Sequence, residues 1–266
     1  MRRASVRRKA ILLAAFLLSS AACGQAQTEP SAEQRARWAR EAEERTHSDW
    51  AYLARYLDAN AALTADAGQQ RIVFLGDSIT EGWVSKMPGF FTPGRVGRGI
   101  SGQTTPQMLV RMRQDVIALK PRVLHIMAGT NDVAGNTGAT TDEQIQDNIR
   151  SMTELAQAHG IRVILASIPP AADFPWKPGL NPGVRIERLN RWIQAYAKRA
   201  GAVYADYWSA TRSGLGFRDG LAYDGVHPTE AGYAAMAPVA EAALRQALAL
   251  PSPGTAVRCA SAANPC

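Results

Sequence analysis

The feature that most constrains the fold of this chain is the alternation of short apolar runs with longer segments of helical periodicity. The predicted strands cover residues 72–75, 95–100, 123–128, 161–167 and 202–206. Strands that alternate with helices in this way build a parallel sheet with helices on both faces. The sequence therefore predicts an α/β protein: a flavodoxin-like three-layer α/β/α domain with a five-stranded parallel sheet.

Capping and stop signals place the helices between these strands. The predicted helices cover residues 105–120, 141–159, 184–200 and 228–248. Before the first strand, Trp50, Leu53, Tyr56 and Leu57 fall at helical spacing, and Ser48 or Asp49 is the candidate cap. This spacing predicts one more helix that packs through those four side chains.

The first 26 residues read as a secretory signal peptide, because a basic stretch is followed by the apolar run 10–18 and then by small residues. The apolar run is shorter than the roughly 20 residues of a spanning helix. The formal net charge is +7, and removing the five cations of this leader leaves +2. A nearly neutral mature chain excludes the basic footprint of a nucleic-acid-binding protein.

The three cysteines predict two different roles. Cys23 lies in Ser20-Ala-Ala-Cys23, which resembles a bacterial lipoprotein cleavage box and would provide a membrane tether. Ordinary cleavage after Ala26 is the alternative. Cys259 and Cys266 would remain as a disulfide in an oxidising compartment, within a surface tail of residues 251–266. Between the ends, we expect a charged linker or helix at 27–48 and one domain at 49–250.

Four polar blocks follow the predicted strands. They are Gly76-Asp-Ser78, Gly99-Ile-Ser-Gly-Gln-Thr104, Gly129-Thr-Asn-Asp132 and Asp224-Gly-Val-His-Pro228. In a parallel sheet the carboxyl ends of the strands share one edge, where such folds bind ligands. We therefore expect the four blocks to meet at one rim. A serine hydroxyl needs a base to act as a nucleophile, and His227 with Asp224 three residues earlier provides one.

In order and residue type these blocks resemble those of the SGNH (GDSL-type) hydrolases, with Ile79 where the family has leucine. The resemblance spans residues 49–248 and implies an esterase whose nucleophile is Ser78, supported by Asp224 and His227. It further implies an oxyanion hole formed by the backbone N–H groups of Ser78 and Gly102 and the side-chain amide of Asn131.

The remaining titratable side chains do not suggest other chemistry. His47 and His159 are predicted to be exposed and His125 to lie in the core, while Asp77 and Asp132 are expected to hydrogen-bond local backbone. No Cys/His cluster has metal-ligand spacing and no phosphate-binding loop is present. We expect no metal and no cofactor.

The substrate is constrained mainly by the loop 168–183, where Phe174 and Trp176 are candidate substrate contacts. The absence of a long lid insertion favours a short acyl group. The leader predicts an exported protein that is periplasmic, bound to the outer envelope as a lipoprotein, or secreted. An exported enzyme of this size most resembles the carbohydrate O-acetylesterases and short-chain esterases of the family, which implies removal of acetyl-like groups from a glycan or small ester. A lysophospholipase or acyl-thioesterase is the alternative, and a catalytically inactive glycan-binding module is the third hypothesis.

Overall fold

The computed structural model describes residues 31–64 and 70–254. Cys23, Cys259 and Cys266 lie outside these residues, so the lipidation and disulfide predictions remain predictions. Helix α1 (Ala32–Ser48) lies within the predicted segment 27–48, and its first residues belong to a separate N-terminal unit that ends at Glu43. Everything below concerns the second unit, from Glu44 onward. Across the two described ranges, no helix is both long and apolar enough to cross a membrane.

The centre of the second unit is a five-stranded, wholly parallel sheet, which confirms the predicted three-layer fold. The strands are β1 (Ile72–Gly76), β2 (Arg95–Gly99), β3 (Val123–Met127), β4 (Arg162–Ala166) and β5 (Val203–Ala205), in the spatial order β2-β1-β3-β4-β5. In β1, Ile72 pairs with Arg95 of β2 and with Val123 of β3. A two-stranded antiparallel pair, β6 (Arg212–Ser213) and β7 (Gly216–Phe217), lies outside the sheet.

Helices cover both faces of the sheet. They are α2 (Leu57–Thr64), α3 (Ser78–Lys86), α4 (Thr105–Val110), α5 (Met112–Asp115), α6 (Thr130–Ala134), α7 (Asp142–Ala158), α8 (Gly183–Arg199), α9 (Tyr207–Thr211) and α10 (Glu230–Ala249). Successive strand side chains point to opposite faces. Accordingly Phe74 packs with α3 and α10, whereas Val73 and Leu75 pack with α4, α5, α7 and α8.

The prediction of one continuous helix over 105–120 is wrong, because the segment forms three short helical pieces. The chain leaves helical geometry at Arg111, between α4 and α5, and continues after Val116 as a 3-10 helix, Ile117–Leu119. The Arg111 guanidinium is buried and donates to Gly76 O at 2.9 Å and to Gln103 Oε1 at 2.6 Å. The break in the helix occurs where the Arg111 side chain turns toward the sheet. Hydrophobic periodicity does not reveal such a break, because it registers only the apolar residues.

The predicted packing face before β1 is also wrong in part. Trp50 and Leu57 are 41% and 54% exposed. Tyr52 adopts a left-handed conformation (φ 52°), and Leu53–Tyr56 form a 3-10 helix, so the side-chain spacing of an α-helix is not kept. Asp49 does cap this turn, because its carboxylate accepts the N–H groups of Leu53 and Ala54 at 2.7 and 2.9 Å.

Candidate active site

The four polar blocks meet at the carboxyl edge of the sheet because each follows the element that ends there. Ser78 is the first residue of α3, immediately after β1. Asp77 caps this helix by accepting the N–H of Ile79 at 2.9 Å. Asn131 lies in α6 after β3, and His227 lies in the loop that leads to α10. The fold therefore collects side chains that are up to 149 positions apart in the chain.

A continuous line of hydrogen bonds joins Ser78, His227 and Asp224. Ser78 Oγ lies 2.9 Å from His227 Nε2, and His227 Nδ1 lies 2.7 Å from Asp224 Oδ2. The other oxygen of this carboxylate, Oδ1, accepts the backbone N–H groups of Val226 and His227 at 3.0 and 2.7 Å. These contacts fix the imidazole with Nδ1 toward the carboxylate and Nε2 toward the serine.

The electrostatics of Asp224 keep it ionised. Partial burial alone would raise its pKa, but the hydrogen bonds from the backbone and imidazole of His227 and from the N–H of Val226 outweigh burial. The pKa of Asp224 is therefore held below its ordinary value, as expected for a carboxylate that accepts several N–H groups. A stably negative Asp224 can stabilise an imidazolium at His227.

Asn131 is buried and held from both ends of its amide. Its Nδ2 donates to Gln103 O at 3.0 Å and lies 3.4 Å from Asp77 Oδ2, next to Ser78. Its Oδ1 accepts the Nδ2 of Asn136 at 2.8 Å. The amide group of Asn131 is thereby held with its nitrogen toward Gln103 O and Asp77 and its oxygen toward Asn136.

Gly102 lies in the turn after β2 with a positive φ of 78°. A Cβ atom at this position would meet no heavy atom within 4 Å, so crowding does not demand glycine here. The left-handed backbone favours glycine, because side-chain-bearing residues adopt that conformation at a cost. Asn136 Nδ2 lies 3.4 Å from Gly102 O, which joins this turn to the Asn131 block.

Two buried aspartates flank the site. Burial raises the pKa of Asp77 to about 6, although the N–H of Ile79 favours the carboxylate. Asp132 accepts the N–H of Thr105 at 2.9 Å and its hydroxyl at 2.6 Å, so it holds the start of α4 against α6. The predicted local backbone contact is present for Asp77, whereas Asp132 reaches a segment 27 residues away.

Aromatic rings surround the imidazole of His227. The ring centroid of Trp176 lies 5.9 Å from that of His227, and Tyr223 is stacked on the imidazole at 5.6 Å with an interplanar angle of 16°. Trp176 is 39% exposed, but Phe174 is fully buried beneath it at 5.0 Å. Of the two residues predicted to contact the substrate, only Trp176 therefore presents a surface.

Sequence reasoning missed Tyr223 and Asn136 as members of the site. Tyr223 directly precedes Asp224, and Asn136 follows Asn131 by five residues, so their nearness to the blocks was the available signal. The Nε1–H of Trp176 donates to Asn136 Oδ1 at 3.1 Å. A hydrogen-bonded line therefore runs from Trp176 through Asn136 to Asn131.

The other histidines lie away from this chemistry. His125 is buried in the core with Nε2 2.9 Å from the Tyr207 hydroxyl, and burial lowers its pKa to about 3. His47 and His159 are exposed. Within residues 31–64 and 70–254, no group of three or more His, Cys, Asp or Glu side chains could hold a metal ion.

The fold and these blocks define a class of protein. The chain belongs to the GDSL-like lipase/acylhydrolase family, whose sequence model matches residues 74–235. The predicted family is thus confirmed. Among its relatives, esterase TesA of Pseudomonas aeruginosa is 30% identical over an alignment of 184 residues that covers 62% of this chain and 83% of TesA.

Two further relatives extend the comparison. The uncharacterized lipoprotein YqeF of Bacillus subtilis is 32% identical over an alignment of 124 residues that covers 39% of this chain and 50% of YqeF. The crystal structure of a GDSL-like lipase from Bacteroides thetaiotaomicron is 43% identical, with a TM-score of 0.70, and covers 75% of this chain and 100% of that one. The likeness therefore extends over the whole of a solved family member.

Proposed function

We propose that this protein is an exported serine esterase that removes acetyl or similarly short acyl groups from a glycan or a small ester. The observation that carries the proposal is the unbroken hydrogen-bonded line from Ser78 Oγ through His227 to Asp224, with lengths of 2.9 and 2.7 Å. Both distances lie within the reach required of a nucleophile, its base and the group that orients the base.

The reaction begins when Ser78 Oγ attacks the ester carbonyl carbon while His227 Nε2 takes the serine proton. The carbonyl electron pair moves onto the carbonyl oxygen, and the negative Asp224 stabilises the imidazolium. The tetrahedral intermediate then expels the alcohol oxygen, which receives the proton from His227, and an acyl-Ser78 ester remains. Water attacks this ester with the same proton transfers, releases the carboxylic acid and restores the serine.

In this proposal three groups donate hydrogen bonds to the negative carbonyl oxygen: the N–H groups of Ser78 and Gly102 and the Nδ2 of Asn131. Ser78 stands at the first position of α3, where backbone N–H groups are not used within the helix and the helix dipole favours negative charge. Asn131 is pre-oriented by its contacts to Gln103 O and Asn136. Such donors stabilise the transition state without reorganisation.

The surroundings of Trp176 support a short acyl group. The loop that carries Trp176 is bound down on the Asn131 side, since Lys177 Nζ donates to Gly135 O at 3.0 Å and Trp176 Nε1 to Asn136. Phe174 fills the space beneath the indole ring. A loop held down in this way beside His227 supports a small acyl site, and this is the reason for proposing a short acyl group.

Export and tethering belong to the same proposal. The leader at residues 1–26 supports export, and Cys23 would carry a lipid that tethers the enzyme to the membrane. Mass spectrometry of the N-terminus of the protein from the cell envelope distinguishes the two processing routes. A diacylglyceryl group on Cys23 supports the tether, whereas a free N-terminus at residue 27 supports a soluble form.

The decisive experiment measures hydrolysis of p-nitrophenyl esters from acetate to dodecanoate by the wild type, Ser78→Ala and the control Ser151→Ala. Ser151 is an exposed serine on α7. We expect the acetate rate to be highest, to fall with chain length, and to be lost only in Ser78→Ala. A maximum at long chains would favour lipid or thioester substrates. Equal rates for Ser78→Ala and wild type would refute the serine mechanism and favour an inactive binding module.

A further inference from the structure

An open groove of about 890 Å³ leads away from Ser78 and His227. It runs between the exposed face of α3, the edge strand β2 and the segment that carries Arg55 and Tyr56. The groove and the proposed nucleophile therefore share one surface, so a substrate held at Ser78 extends into the groove.

Positive charge dominates the lining of this groove. Its charged residues are Arg55, Lys86, Arg95, Arg98 and Glu81. Two of the cations are neutralised, because Arg55 pairs with Glu81 at 3.0 Å and Arg95 pairs with Glu241 at 2.6 Å. The two remaining cations, Lys86 and Arg98, make the electrostatic potential inside the groove positive.

Arg98 is 5% exposed and only partly satisfied. Its Nε donates to Asn60 Oδ1 and its Nη1 to Gly97 O, both at 2.8 Å, but its Nη2 has no hydrogen-bond partner among the described residues. The nearby carboxylate of Asp115 already pairs with Arg111 at 3.1 Å. Two buried guanidinium groups thus share one carboxylate, and burial lowers the pKa of Arg98. An anion in the groove would compensate this excess charge.

Lys86 is the last residue of α3 and lines the groove. Within the described part of the chain it forms no ion pair, and its Nζ lies 5.4 Å from the ring centroid of Tyr223. Tyr223 is 63% exposed and stacks on His227. An exposed aromatic face beside a cation suits a sugar ring that carries a negative group.

We propose that the groove binds an anionic part of the substrate and that this substrate is an acetylated acidic oligosaccharide, one carboxylate of which meets Lys86 while the uncompensated charge of the buried Arg98 adds to the attraction. The inference rests on the proposed esterase function. A helical rise of about 1.5 Å per residue places Lys86 about 12 Å from Ser78 along α3, which a disaccharide spans.

The test compares acetate release from acetylated oligogalacturonides with release from acetylated xylo-oligosaccharides of equal length. We expect the ratio of kcat/KM, acidic over neutral, to be about ten at low salt and to fall as salt is raised, as for electrostatically focused substrates. Lys86→Gln should lower this ratio about fivefold, and Lys86→Arg should retain it. Lys198→Gln, which removes an exposed charge from α8 outside the groove, is the matched control and should retain the ratio.

A wild-type ratio near one, or an unchanged ratio in Lys86→Gln, would overturn the inference. Faster hydrolysis of lysophosphatidylglycerol than of the acidic oligosaccharide would also overturn it, because the anion would then belong to a lipid. These outcomes are separable from failure of the esterase proposal. If neutral acetyl esters are cleaved through Ser78 without any charge preference, only the inference drawn from the groove fails.

Discussion

Replacing Asn136 by alanine tests whether the orientation of the Asn131 amide contributes to turnover. Asn136 touches neither Ser78 nor His227 in the contacts described above, but its Nδ2 donates to Asn131 Oδ1 at 2.8 Å. Removing that donor frees one end of the Asn131 amide, and the longer contact to Gly102 O at 3.4 Å and the acceptor for Trp176 Nε1 are lost with it. The other end keeps its hydrogen bond to Gln103 O at 3.0 Å, so Asn131 loses part of its orientation and not all of it.

The magnitude follows from these two contacts. A neutral hydrogen bond contributes about 0.5–1.5 kcal/mol, and we use the lower half of that range because Asn136 is exposed. Since about 1.4 kcal/mol corresponds to tenfold in rate, Asn136→Ala should lower kcat about two- to fivefold. Asn131→Ala removes the proposed donor itself and should cost about 10²–10³ in kcat.

The assay is steady-state hydrolysis of p-nitrophenyl acetate, with kcat and KM determined separately. Loss of an interaction made only in the transition state lowers kcat and kcat/KM equally. Asn136→Asp should lose more than Asn136→Ala, because a carboxylate would face the Asn131 carbonyl oxygen and the oxyanion. Trp176→Phe, which removes the outer hydrogen bond to Asn136 together with part of the ring beside His227, leaves the Asn136–Asn131 bond intact and should lose less. An unchanged kcat in Asn136→Ala, or a loss as large as that of Asn131→Ala, would refute the reasoning.

Three further predictions concern the charge, the pH response and the packing of the site. Asp224→Asn should lower kcat by about 10³–10⁴ with little change in KM, since the tautomer of His227 would no longer be fixed; steady-state kinetics checks this. Asp77 binds a proton more tightly in the folded chain (pKa about 6) than in the unfolded chain, so the wild type loses stability as pH rises from about 4 to 6. The unfolding free energy of Asp77→Asn relative to wild type should therefore rise by up to about 3 kcal/mol between pH 4 and 7, measured by urea unfolding, and parallel profiles would contradict it. Gly99→Ala should destabilise the fold by about 1–3 kcal/mol or more in thermal unfolding, because its Cβ would lie 2.2 Å from Glu81 N, on the backbone of α3.

The predictable part of this molecule is the part governed by periodicity and topology. The apolar patterns located all five strands. Their parallel direction follows from the helices that connect them. The meeting of Ser78, Asn131 and His227 at one edge then follows without knowledge of any contact, because carboxyl ends of parallel strands share an edge. A rule about strand direction was enough to assemble the candidate site.

Contacts that depend on side-chain direction were not predictable in this way. The pairing of Trp176 with Asn136 joins residues 40 positions apart through one indole N–H, and no periodic signal encodes it. Phe174 and Trp176 are two residues apart in a proline-rich loop, yet one is fully buried and the other presents its ring. Their different roles follow from how the loop is bound to Gly135 and Asn136, which is a property of the packed structure.

The least predictable residues are those that are charged and buried. Burial of a charge or an ion pair costs desolvation, and an apolar replacement is often neutral or stabilising, so such groups are weak evidence for stability. Arg111 nevertheless turns inward, with its pKa lowered by burial, and bonds Gly76 O at the end of β1 and Gln103 beside Gly102. Those bonds link the strand that leads to the serine with the turn proposed to form the oxyanion hole. The expectation that charged side chains stay at the surface therefore fails at Arg111, a residue that positions the candidate site. Exceptions of this kind are expected at the functional sites of proteins.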